Sequence, residues 1–228
     1  MKIGCFLASL VVIGLMSGAC RAQEFGIFLD ELKTKWLDNG RDMELLADFR
    51  FQAPDQNIWT AKKDAKVDGA SIPQAFWSLI GGPFEGLYRK ASVIHDYYCE
   101  HHLKDWQSTH RIFYLGMRAS GVPELKAKTM YYAVYAFGPR WGATTVHGVR
   151  QICKDGRCIE TLSTIMTTTK NLVEITDRQI QLVDAIQKRL DAGDALSLDD
   201  IDRVANEDRK SATALPAIIM DIKTLQDR

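Results

Sequence analysis

Between Gly86 and Gly138, three consecutive stretches carry apolar residues at three- to four-residue spacing, separated only by short links. In GLYRKASVIHDYYCEHHL (86–103) the repeat runs through Leu87, Ala91, Ile94, Tyr97 and Tyr98. In WQSTHRIFYLGMRAS (106–120) it uses Ile112, Phe113, Leu115 and Met117, and Gly121 supplies a stop. The third, ELKAKTMYYAVYAFG (124–138), ends at Gly138-Pro139. Helices joined by links this short pack antiparallel. With 228 residues, 46% of them apolar, the chain is long enough to surround such a layer with one compact domain and an appendage.

The flanks read differently. GIFLDELKTKWLDNG (26–40) reads as a short helix or an extended lead-in, MELLADFRF (43–51) suits a strand, and 58–73 holds one or two short strands ended by Pro73. Ser71 is placed to cap the turn or two of helix in QAFWSLI (74–80), which Gly81-Gly82-Pro83 stops. The run from Thr161 to Gly193 has an amphipathic helical pattern with charged outer faces, and SLDDIDRVANEDRK begins on an N-cap at Ser197 with an acidic first turn. The expected fold is therefore α+β, mainly α: small strands near the N-terminus packed on an antiparallel helical core, with a C-terminal helical extension. Residues 1–22 form a signal peptide, 23–158 the core domain and 159–228 the extension. Phe76, Trp77, Ile94, Phe113, Tyr132 and Trp141 are expected together in one core, and Glu85 and Arg89 as an i,i+4 surface pair.

Lys2, the apolar run Ile3 to Met16 and the small residues Ser17-Gly18-Ala19 make a secretory signal, too short to span a bilayer. Cleavage after Ala19 or Ala22 gives a secreted or periplasmic protein, whereas lipidation of Cys20 anchors it to a membrane. Formal net charge is zero and no basic run occurs, which argues against a nucleic-acid partner. In an oxidising compartment Cys153 and Cys158, around the turn-forming Asp155-Gly156, are placed to close a hairpin as a cystine. Cys99 is then unpaired unless it meets Cys20.

The segment ASVIHDYYCEHH (91–102) concentrates the chemistry, with three of the five histidines. His95 and Asp96 point about 100° apart on a helix and so cannot act as a hydrogen-bonded pair. They suit two tasks around one site: imidazole as a base near neutrality, and carboxylate as a ligand for a hard cation such as Ca²⁺. Further oxygen ligands would come from IGGPFEG (80–86) or DGAS (68–71), through Gly81, Gly82 and Asp68. The alternative for the pair is a structural polar network, in which Asp96 accepts backbone N–H bonds from the DGAS loop.

That division of labour resembles the helical His-Asp of secreted phospholipases A2, where a second helix supplies an Asp that orients the imidazole. DGASIPQAFWSLIGGPFEGLYRKASVIHDYYC, followed by HRIFYLGMRASGV and YYAVYAFGPRW, more specifically resembles the DUF1353 family of bacteria and phages, over about residues 43–141. DUF1353 is a family of undetermined function; it is the phospholipase likeness that implies His95 as base, Asp96 as calcium ligand and His110 at the position of the orienting residue, in a hydrolase acting on envelope lipids. Two positions depart from the family pattern: Cys99 stands where it tends to have Tyr, and His110 where it tends to have Asp. A His cannot serve as an anionic orienter. The departures open a transition-metal reading, Zn²⁺ for instance, because His95, Cys99 and His102 share one helical face and His110 lies across the hairpin, with Asp96 adjacent. A third reading is a non-catalytic envelope protein that binds a protein partner through residues 160–228. His147, alone in its segment, reads as structural.

Overall fold

The computed structural model describes residues 24–69, 72–82, 84–154 and 157–219; the side chains of 145–152, 154 and 159–166 lie outside that description, as do the signal segment, Cys20, Ser71 and the Asp155-Gly156 turn. The fold is α+β and mainly α, as the sequence reading has it.

Six short strands come first: β1 (Ile27–Phe28), β2 (Thr34–Trp36), β3 (Met43–Leu45), β4 (Phe49–Gln52), β5 (Ile58–Ala61) and β6 (Lys66–Val67). They form two antiparallel three-stranded sheets, β1-β4-β5 and β2-β3-β6. Residues 26–40 are thus extended, and the strand expected over 43–51 is two strands in different sheets. Its alternation survives the break: Met43, Leu45, Phe49 and Phe51 are all buried, as period-two side chains facing one core must be.

A 3₁₀ turn (Gln74–Phe76) and the short α1 (Trp77–Ile80) lead to the helical core: α2 (Arg89–His101), α3 (Trp106–Ala119) and α4 (Glu124–Phe137). These helices end within a few residues of the expected bounds. Asp105 begins α3 by accepting a hydrogen bond from the Ser108 amide at 2.7 Å. Helix α4 is buried on nearly every face, with Tyr131 and Tyr132 fully enclosed, so it runs through the centre of the helical layer. Helices α2 and α3 approach closely at Gly116, where a β-carbon would lie 2.9 Å from Ala91 Cβ.

After α4 comes a long antiparallel hairpin, β7 (Arg140–Lys154) and β8 (Arg157–Asn171), paired without a break from Arg140↔Asn171 to Lys154↔Arg157. This corrects the helical reading of residues 161–171. Leu162, Ile165 and Met166 do carry helical spacing, but the run is rich in β-branched Thr and Ile, which favour a pleated strand. Cys153 sits opposite Cys158 and the two form the expected cystine near the tip. Strand β9 (Ile218–Ile219) pairs with β8 near its base.

The helical part of the C-terminal region is α5 (Asp177–Asp191) and α6 (Leu198–Lys210). Ser197 caps α6 as expected, in a reciprocal arrangement with Asp200. Both helices pack onto α4, so this region is part of the main core: Val183, Ile186, Leu190, Ile201 and Ala205 join the cluster around Tyr131, Tyr132 and Phe113. Arg209 donates to the carbonyls of Ala136, Gly138 and Asn171, closing the C-terminal end of α4. A second cluster lies between the small sheets and α2, around Phe49, Phe51, Trp59, Ile94 and Tyr98. The expected single core is therefore two. Phe76, Ile94, Phe113, Tyr132 and Trp141 are buried, while Trp77 is only partly so.

Candidate functional site

The antiparallel seam of α2 and α3 brings His95, Cys99 and His110 together. His95 and Cys99, four residues apart, lie on one face of α2. His110 faces them from α3, and all three are fully or almost fully buried. Their ligand-type atoms lie within 4.8 Å of one another. His95 Nε2 and His110 Nδ1 are 2.8 Å apart, and Cys99 Sγ is 3.5 Å from His95 Nε2. The Phe113 ring packs against the His95 imidazole with centroids 4.8 Å apart.

The network fixes the tautomers. His110 Nε2 lies 3.0 Å from the Pro139 carbonyl, which can only accept, so Nε2 carries the proton. Burial first, then the facing His95, hold His110 well below the ordinary imidazole range, so the ring is neutral. Its Nδ1 is then a bare acceptor, and His95 Nε2–H donates to it. An N–H anchored on a backbone carbonyl, with the other ring nitrogen presented inward, is the arrangement that orients metal-bound histidines.

Asp96 points elsewhere. One of its carboxylate oxygens accepts from the backbone amides of Asp68 and Gly69 at 2.7 and 3.2 Å, so Asp96 ties α2 to the DGAS loop. Burial, then the neighbouring Asp68 carboxylate, push Asp96 up to about 7 against the pull of those two amides. Asp96 also lines an open cavity of about 300 Å³ with Asp42, Lys66, Val67, Asp68 and Glu100; His95 is not among its walls. The Asp68 carboxylate is held by Arg41 at 2.8 Å.

The remaining expected site residues lie apart from the trio. Gly82 accepts a 2.5 Å hydrogen bond from the Tyr88 hydroxyl through its carbonyl, and a β-carbon on Gly81 would meet that same hydroxyl. Among the described residues, the loop contacts of Asp96 come from Asp68 and Gly69, not from Gly81 or Gly82. His102 caps α2 in the left-handed region, with φ 51°, and its ring meets Trp141 edge-on, outside the His95–Cys99–His110 group. Glu85 and Arg89 form no ion pair among the described residues; Arg89 Nε donates instead to the Phe84 carbonyl at 2.9 Å. The side chain of His147 is outside the description.

Two participants escaped the sequence reading. The Pro139 carbonyl, which sets the tautomers, carries no side-chain signal. Tyr98, whose hydroxyl accepts from the Thr60 amide at 3.0 Å, locks α2 onto β5; its helical spacing marked it only as core.

Residues 43–134, from β3 into α4, match the family described as "Protein of unknown function (DUF1353)". The chain is 40% identical over 169 residues to "Uncharacterized protein y4iH" of Sinorhizobium fredii, covering 72% of this chain and 70% of that one. This chain belongs to the DUF1353 family. A second protein similar to this DUF1353 chain, "Uncharacterized protein y4jT" of the same organism, is 42% identical over 207 residues, or 85% of this chain. The chain spans 62% of that relative's length. No solved structure matches. The DUF1353 segment contains His95, Cys99 and His110 as well as the Asp96–Asp68 contact.

Proposed function

We propose that this DUF1353 chain is an exported, non-hydrolytic envelope protein whose α2–α3 seam holds a transition-metal ion, Zn²⁺ in the first instance, on His95, Cys99 and His110. The single observation that carries the reading is the convergence of three buried nitrogen and sulfur ligand atoms within 4.8 Å. Two imidazoles and a thiol are the donors that borderline-soft divalent ions take. His110 is oriented by the Pro139 carbonyl, and its ring is held neutral by burial and by the facing His95. Loading the ion releases the Cys99 proton and requires His95 to turn its Nε2–H away from His110. Three protein ligands leave a fourth position open, but the burial of all three favours a staple between helices over a centre that turns over substrate. Export is supported by the cationic and apolar start of the sequence and by the Cys153–Cys158 cystine.

The phospholipase A2-like reading is the weaker one. Its base must reach water, and His95 is fully buried. Its calcium ligand must present free oxygens, and one Asp96 oxygen is already held by two amides. The orienting position holds a neutral His110.

The test is elemental analysis of full-length chain purified without chelator or affinity tag. About one zinc per chain is expected, lost in Cys99→Ser and His110→Phe variants that remain folded. A metal-free wild type that also fails to take up added Zn²⁺ overturns the reading. Hydrolysis of phospholipid that requires Ca²⁺ and vanishes in His95→Gln would restore the enzyme.

A further inference from the structure

Beside Gly82 lies an open groove of about 730 Å³, lined by Trp36, Trp77, Phe84, Arg41, Arg89, Gln74 and Glu85 among others. That volume is within the usual range for small-molecule sites, about 300–1,000 Å³. Trp36 is 58% exposed at the end of β2, although its ring is the largest apolar surface any residue offers. It is held, not loose: it stands edge-on to Phe84, with centroids 5.9 Å apart. Trp77 is fixed as well, because its indole N–H donates to the Ile72 carbonyl at 3.1 Å. The groove therefore has rigid aromatic walls open to solvent.

Its polar groups are of both kinds. Arg89 is anchored through Nε to the Phe84 carbonyl, and among the described residues its terminal nitrogens make no hydrogen bond. Arg41 is pinned by Asp68 through one terminal nitrogen. Gln74 and Glu85 line the same space, and among the described residues their side chains make no hydrogen bond. Asp68 already neutralises Arg41, which leaves Arg89, with its terminal nitrogens unbonded among the described residues, as the guanidinium open to an anion. Flat aromatic faces take the C–H faces of a sugar ring. A carboxylate and an amide take its hydroxyls, and guanidinium groups take an acidic substituent bidentately.

We infer that this groove binds a carboxylate-bearing oligosaccharide, stacked on Trp36 and Trp77 and held through an acid group by Arg89. The site is separate from the metal seam and stands without it. It draws its residues from β2, the loop after it, the turn at Gln74, α1 and the start of α2, so only the folded chain assembles it.

Titration calorimetry and tryptophan fluorescence on the full chain test this, with tetragalacturonate as the acidic probe, maltotetraose as its neutral counterpart and benzoate as a planar acid without a sugar ring. Tetragalacturonate should bind with Kd below about 1 mM and shift the tryptophan emission, with maltotetraose weaker. Trp36→Ala should weaken tetragalacturonate about tenfold, and Arg89→Gln should abolish the preference for acid over neutral sugar. Both side chains are exposed, and a melting curve checks that each variant is folded. Absence of tetragalacturonate binding in folded wild type overturns the proposal. So does binding that both substitutions leave unchanged, or benzoate binding as tightly as the acidic sugar. A protein that binds the sugar but carries no zinc keeps this site and loses the metal, so the two readings fail separately.

Discussion

Two helix seams in this molecule carry polar groups, and they arrange them in opposite ways. Where α6 meets α4, the Tyr131 and Tyr132 hydroxyls donate to Asp202 and Asp208 at 2.5 and 2.6 Å, and Arg111 closes on Asp202 and Asp199. Each charge there has an opposite charge or a donor, and Asp199 remains well exposed. Where α2 meets α3, two imidazoles and a thiol are sealed in the interior, with the Pro139 carbonyl anchoring His110. The first seam is a conventional way to satisfy a buried hydroxyl. The second surrounds three metal-ligand atoms with aromatic rings, where an apolar trio would pack with less desolvation. The proposed ion would account for that contrast.

Several measurements break or sharpen that contrast. Phe113→Ala removes the ring that packs on His95 and serves the main core. It should cost about 3–5 kcal/mol by chemical denaturation and lower zinc retention as well. Zn²⁺ at a hundred times its Kd should stabilise wild type by about 2.7 kcal/mol, and Cys99→Ser not at all; equal melting shifts in both would remove the seam as the site. In the presence of chelator, His110→Phe leaves the His95 N–H buried without that acceptor and should cost about 1–3 kcal/mol. Tyr131→Phe, which leaves Asp202 still paired with Arg111, should cost only about 1 kcal/mol. Were the two losses the same, the distinction between the seams would have no energetic content. Smallest is Ser197→Ala at the α6 cap, about 1 kcal/mol, with zinc content unchanged.

How far the sequence could be read depended on how local the signal was. Helices α2, α3 and α4 follow from apolar spacing and from Gly and Pro stops, all within each segment. His95, Cys99 and His110 were legible because two share a helical face and the third lies across a short link. Residues 161–171 misled because Leu162, Ile165 and Met166 fit a helix while the Thr content favours a strand. Pairing with β7, a partner far along the chain only at its base, decided the outcome. The groove was illegible for a related reason. Trp36, Arg41, Gln74, Trp77 and Arg89 have no common period, and only the folding of β2 and the loop after it against α1 and the start of α2 gathers them. His102 was assigned to the metal face by spacing, but α2 ends at His101 and the left-handed backbone of His102 turns its ring to Trp141.

The Arg209 clasp has a consequence for biosynthesis. The carbonyls of Ala136 and Gly138 are made more than sixty residues before the guanidinium that satisfies them. A nascent chain therefore holds its central helix with an open end until Arg209 has emerged. Messages truncated ahead of that arginine should yield chains that proteases clear, even though His95, Cys99 and His110 have already been synthesised.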